Sequence, residues 1–188
     1  MAARRAVLVC AVVAVLLASG RPGRAELRIS DLEVFLNDHE VTVSAVALDA
    51  LPPTLLEPLQ SGLPAHVRFR VELWRYVPFW RDRLLTTRVV ERQLTYNLVT
   101  KEYRVTSLRG ESRPVYTARD LRDAQRVISE LRDLKLSPVA ALDPRDIIYV
   151  RVHAEVALSG ENTFLTRMAG TAVQTMRQSD YRTLSRVQ

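Results

Sequence analysis

Between Val67 and Trp74 every second side chain avoids water: Val67, Phe69, Val71 and Leu73 alternate with Arg68, Arg70, Glu72 and Trp74. Successive residues of a β-strand leave the backbone on opposite sides, so this period of two puts four apolar groups on one face and the charges on the other. Ile148, Val150, Val152, Ala154, Val156 and Leu158 repeat the pattern against Tyr149, Arg151, His153, Glu155 and Ala157. Two long one-sided strands imply an antiparallel sheet, or a sandwich, with a solvated face. Further strands are expected over residues 27–36, 41–48, 87–98 and 102–107. Asn37-Asp38-His39 joins the first pair as a hairpin, and the polar Thr100-Lys101 joins the second. Pro52-Pro53, Pro58 and Pro64 limit the stretch between to about one helical turn, around Thr54 to Leu59.

One amphipathic helix is expected over about 117–136. Thr117 can cap it with Asp120 at the third helical position, and Leu121, Ala124, Val127, Ile128, Leu131 and Leu134 recur at helical spacing before Ser137-Pro138 stops the run. The fold class is therefore α+β, mostly β, with one helix packed on the sheet. Beyond Gly160 the pattern weakens. Leu165, Met168, Ala169, Ala172, Val173 and Met176 can form a helical stripe, opposed by Gly170 and nearby threonines, so residues 161–188 are expected to be a helical or partly disordered tail behind a β-rich domain of residues 26–160.

The first 25 residues carry an address. Arg4 and Arg5 precede an apolar run of 13 residues from Ala6 to Ala18, and Gly23-Arg24-Ala25 offers small residues for a signal peptidase. A bilayer-spanning helix needs roughly 18 to 20 residues, so cleavage after Ala25 is expected, with an uncleaved anchor as the alternative. The only cysteine, Cys10, lies in this run, which leaves the exported part without a disulfide or a thiolate. Of the formal charge of +6, four positive charges sit on Arg4, Arg5, Arg21 and Arg24. The remainder is nearly balanced, which argues against nucleic acid as a partner.

The segment from Phe69 to Arg75, then Trp80-Arg81-Asp82, then Leu94-Thr95-Tyr96-Asn97-Leu98-Val99-Thr100-Lys101-Glu102-Tyr103, resembles the exported bacterial family known as domain of unknown function 4390. The family's pattern is an alternating strand ending in a basic residue, a Trp-x-Asp, and a Leu-x-Tyr-Asp-x-x-Thr-x-x-Tyr hairpin. The resemblance covers about residues 27–158. Asn97 stands where the family has aspartate, which keeps the turn geometry and removes a charge. The resemblance implies an envelope protein in a signalling or maintenance context, since family members are often encoded near membrane sensor kinases.

Catalytic templates are scarce. After residue 25 there is no cysteine, no Gly-x-Ser-x-Gly elbow and no His-Glu-x-x-His, and Gly62, Gly110, Gly160 and Gly170 are too scattered to cradle a phosphate. No catalytic residue, metal ligand or cofactor is assigned. Asp38-His39-Glu40 reads as a turn, because consecutive side chains diverge and zinc needs three or four converging donors.

The residues offered for contact with a ligand or partner are Arg68, Arg70 and Arg75, a row on one strand, together with Arg151, His153, Trp74, Tyr76 and Trp80. Arg92 could adjoin the row. Arginine forks suit carboxylates and phosphates, and large amphipathic rings dominate contacts with partners and membrane surfaces. The plainer reading is a solvated face laced by charge pairs, with Trp74 and Tyr76 as ordinary packing. Arginine is also this chain's default cation, 25 against two lysines.

The expectation is an exported, non-catalytic binding or accessory module of the bacterial envelope, facing an envelope protein or a membrane surface. One alternative is a hydrolase of envelope carbohydrate or peptide, which needs two carboxylates from among Glu72, Asp82, Glu91 and Glu155 facing one cleft. Another is a membrane-tethered accessory subunit.

Overall fold

A computed structural model describes residues 27–36, 39–158 and 172–183. Among these the elements run β1 (Arg28–Leu36), β2 (Glu40–Leu48), α1 (Pro53–Gln60), β3 (Ala65–Arg75), β4 (Arg83–Asn97), β5 (Glu102–Arg109), β6 (Tyr116–Ala118), α2 (Leu121–Ser129), β7 (Glu130–Pro138), a 3-10 turn (Val139–Ala141), β8 (Ile147–Leu158), β9 (Ala172–Gln178) and β10 (Arg182–Thr183). All pairings are antiparallel. A small sheet has the order β1-β2-β7, and a large one the order β10-β8-β3-β4-β5-β6, with β9 beside β10 on the outer edge of β8. The two sheets share one core, so the fold is α+β and mostly β.

The alternating strands lie at the centre of the large sheet. Val67, Phe69, Val71 and Leu73 from β3 are completely buried, as are Val150, Val152, Ala154 and Val156 or nearly so from β8. Ala45, Val43 and Val41 from β2 face them from the small sheet's part of the core. Each large aliphatic or aromatic group removed from water in this way contributes about 1.5 to 3 kcal/mol before entropy is subtracted.

The helix is shorter than its spacing indicates. It is capped by Asp120, whose carboxylate accepts from the Arg122 N–H at 2.8 Å, while Thr117 belongs to β6. It ends at Ser129, and the chain continues directly as β7 along β2. Leu131 and Leu134 therefore belong to a strand. Their helix-like separation of three comes from a β-bulge, where the pairing shifts between Val43 and Ala45 and Asp133 takes a positive φ of 48°. An inserted residue turns a period of two into three and imitates a helical turn. The proline-rich stretch also holds more helix than expected: α1 runs eight residues and buries Leu55 and Leu59.

Other departures concern faces and ends. Arg92 does not join the outer arginine row. It shares its strand face with the buried Val90 and Leu94 and is itself 1% exposed. Arg75 has the parity of Leu73, and its Nη1 pairs with Asp146 at 3.4 Å. Of the expected tail helix, residues 161–171 lie outside the described residues, and residues 172–178 form β9, not a helix. Residues 1–25, expected to be a leader, also lie outside them. No described helix is long and apolar enough to cross a membrane.

Gly110 redirects the chain after β5. Its φ is +83°, and a Cβ there would lie 1.9 Å from the Val89 carbonyl oxygen, so no other residue fits without moving backbone. This close approach brings Glu111 back toward Arg92.

Candidate functional site

The register of β3 with β8 sets out a ladder on the outer face of the large sheet. Arg68 lies opposite Glu155, Arg70 opposite His153, Glu72 opposite Arg151, and Trp74 opposite Tyr149. These are the polar halves of the two alternating patterns, brought level because one face of each strand must enter the core.

At one end the ladder forms a trough of about 450 Å³ lined by Arg68, Arg70, His153, Glu155, Gln174 and Met176. Arg68 is engaged by Glu91 at 3.1 Å across to β4. Arg70 is exposed and meets no acidic group among the described residues. A guanidinium with its fork uncommitted, facing a shallow recess, can receive a carboxylate or a phosphate.

At the other end aromatic rings take over. Trp74 and Tyr149 are nearly parallel, 8° apart, with centroids at 6.4 Å, and the Arg151 guanidinium lies 5.0 Å from the Trp74 ring and 5.7 Å from that of Tyr149. The Arg151 Nε is buried without a hydrogen-bond partner, while its Nη2 donates to the Tyr149 hydroxyl and to Gln178 Oε1, each at 3.4 Å, so long hydrogen bonds and the ring faces together hold this cation. Trp74 Nε1 donates to Glu72 Oε2 at 2.9 Å, and His153 Nε2 lies 3.6 Å from the same oxygen. Tyr181 meets both Tyr149 and Tyr76 edge-on at 5.2 Å. The Tyr149 hydroxyl donates to Asp82 Oδ2 at 2.8 Å. Burial, then the hydrogen bond to Asp82 and its charge, push this phenol up to about 12.

The fold thus brings together five of the eight residues singled out from sequence: Arg68, Arg70 and His153 in the trough, and Trp74 and Arg151 beside it. Tyr76 extends the aromatic end through Tyr181. Arg75 turns to the other side of the strand, and Trp80 stands on the β3–β4 connection, 82% exposed. Of the four carboxylates considered for hydrolysis, Glu72 is held by Trp74, Asp82 by Tyr149 and the Val77 N–H, and Glu91 by Arg68. Among the described residues no group of three or more His, Cys, Asp or Glu side chains converges as a metal site.

Sequence reasoning missed Tyr149, Tyr181 and Met176. Tyr149 carried a signal, since it shares parity with Arg151 and His153 in the alternating run. The other two lie in the segment expected to be a tail. Also missed was a recess of about 730 Å³ between β4, the β5–β6 connection and β7, lined by Arg88, Arg109, Arg113 and Arg132 together with Glu111 and Asp133.

The Asn97 turn behaves as its residue type requires. Its Oδ1 accepts from the N–H groups of Val99 at 2.8 Å and Thr100 at 3.1 Å, doing without charge what aspartate would do. No curated protein and no solved structure matches the chain. The sequence pattern of one family does match, over residues 24–172, which takes in the alternating strands, the Trp80-x-Asp82 connection and the Asn97 turn. The chain belongs to the family described as Domain of unknown function (DUF4390).

Proposed function

We propose that this protein is a non-catalytic binding module of the bacterial envelope, exported by its N-terminal leader, which presents the outer face of its large sheet to an anionic envelope component. One observation carries the reading: Arg70, uncommitted, lines a trough of about 450 Å³ on the same face as the Arg151–Trp74–Tyr149 stack. A cation for the charge and flat rings for the adjoining apolar surface are what recognition of a carboxylate- or phosphate-bearing polymer or protein needs. The leader supports export, since a short apolar run preceded by two arginines and followed by Gly23-Arg24-Ala25 suits a cleaved signal.

Photo-crosslinking in intact cells tests this. A crosslinking residue replacing Met176, at the rim of the trough, is expected to give a discrete adduct that Arg70→Glu abolishes. The same residue replacing the exposed Phe35 of the small sheet is expected to give none. Equal labelling at both positions, or an adduct indifferent to Arg70→Glu, refutes the reading. The mass of the exported protein reports the leader: a chain beginning at Glu26 supports cleavage, and an intact N-terminus supports the tethered alternative.

A further inference from the structure

The connection between β3 and β4 holds two aromatic side chains out in solvent. Phe79 is 105% exposed and Trp80 82%, the highest values among the large apolar residues that are described apart from Val99. Such exposure on a loose loop would mean little, but this tip is fastened at its base. Asp82 accepts from the Val77 N–H through one oxygen, at 3.2 Å, and from the Tyr149 hydroxyl through the other, at 2.8 Å. Tyr76 N–H donates to the Ile147 carbonyl at 2.8 Å, and Trp80 N–H closes a turn onto the Val77 carbonyl at 3.2 Å. Phe79 takes a left-handed φ of 61°, a conformation unfavourable for an aromatic residue and maintained here by the surrounding bonds.

The charge of the tip is one-sided. Arg81 and Arg83 are both exposed, and neither meets an acidic group among the described residues. The only acid between them, Asp82, is turned inward to Val77 and Tyr149. A convex tip with two rings at its apex and two free guanidinium groups at its shoulders lacks the concavity that grips a protein side chain. It matches a bilayer boundary, where tryptophan and phenylalanine settle at headgroup depth and arginine meets anionic headgroups without any need for shape complementarity. Because the tip is already ordered, little freedom is lost on docking.

We propose that residues 77–83 dock the domain onto a membrane surface bearing anionic headgroups, with Phe79 and Trp80 entering the interface and Arg81 and Arg83 contacting headgroup phosphates. The site is separate from the trough on the sheet face and does not depend on it.

The test uses the full chain with phosphatidylcholine vesicles, with and without phosphatidylglycerol, carrying brominated acyl chains. The chain's two tryptophans are Trp74 and Trp80, so the emission that Trp80→Phe removes reports the tip. That emission is expected to shift to the blue and be quenched on phosphatidylglycerol vesicles, less so on phosphatidylcholine alone, and less again at high salt. The double variants Phe79→Ser with Trp80→Ser and Arg81→Glu with Arg83→Glu are each expected to bind at least about tenfold more weakly. Their melting temperatures stay at the parent value, because the altered side chains are exposed. Arg70→Glu leaves vesicle docking unchanged, which separates this proposal from the sheet-face reading. Absence of quenching on anionic vesicles overturns the proposal, as does equal binding by the tip variants. Loss of a protein adduct in cells from the tip variants, without any vesicle quenching, also overturns it in favour of a protein partner.

Discussion

Arg92 and Glu111 form a two-pronged ion pair inside the protein, directly beneath the end of α2. Both carboxylate oxygens of Glu111 accept from the guanidinium, through Nε and Nη2. Nη1 donates to the carbonyls of Val127 at 2.9 Å, Ile128 at 3.2 Å and Glu130 at 2.6 Å. The last turn of a helix leaves carbonyls without intrahelical partners, and a cation there also favours the negative end of the helix dipole. One buried arginine thus satisfies the point at which helix becomes strand. Arg92→Met leaves the carbonyls and Glu111 without this donor and is expected to cost about 3 to 5 kcal/mol in chemical denaturation. Arg92→Met with Glu111→Leu is expected to recover part of that loss, because the carboxylate left with only Ser107 and Arg113 goes too.

The same pair sets an acid limit. Burial alone would raise the Glu111 carboxyl, but hydrogen bonds from Arg92 and Ser107 and the charges of Arg92 and Arg113 bring it below its ordinary value of 4.5. A group with a depressed folded pKa contributes stability that is present above its unfolded value and lost as pH falls through the folded one. Melting temperature is therefore expected to fall below pH 4.5 more steeply in the parent protein than in Glu111→Gln.

Tyr149 sets the opposite limit. With its phenol raised from 10 to about 12, its contribution is complete below pH 10 and disappears as pH climbs toward 12. Absorbance titration at alkaline pH is expected to show a tyrosine ionising late. Asp82→Asn brings that tyrosine back toward 10, and Tyr149→Phe removes it from the titration.

Leu73 is completely buried between β4 and β8. Leu73→Asp places a carboxylate there without a partner and is expected to cost several kcal/mol, enough to abolish a cooperative melt in a domain of ordinary stability. An unchanged melting temperature would mean that β3 turns its other face to the core.

Asp133 occupies the bulge in β7 with a φ of 48°, its N–H donating to Ser44 Oγ at 3.1 Å. Asp133→Val is expected to lose about 1 to 2 kcal/mol through left-handed strain, whereas Asp133→Gly retains the parent stability or gains slightly, measured by urea denaturation.

These residues also show what can be read from a sequence and what cannot. The alternation around Val71 and Val152 is a local property, and both strands formed where it placed them. The trough and the aromatic stack depend on register. Trp74 and Tyr149 are far apart in sequence, and only the pairing of Val71 with Val152 makes them neighbours. Leu131 and Leu134 misled because a bulge disguised a strand as a helical turn. Arg92 was visible in principle: an arginine between Val90 and Leu94 keeps their parity, and a charge in an apolar row asks for a buried partner. That partner, Glu111, comes from a connection whose path is set by Gly110.

The outer edge of the large sheet is finished by β9 and β10, the last strands among the described residues, and β9 also reaches the small sheet, where Arg177 Nη1 donates to the Ile29 carbonyl at 2.9 Å. Until those residues have emerged from the ribosome, the twelve residues of β8 offer a long unsealed row of amides and carbonyls to any extended polypeptide nearby. Synthesis therefore passes through an interval in which this protein is sticky, and a holding chaperone has an obvious strand to shield.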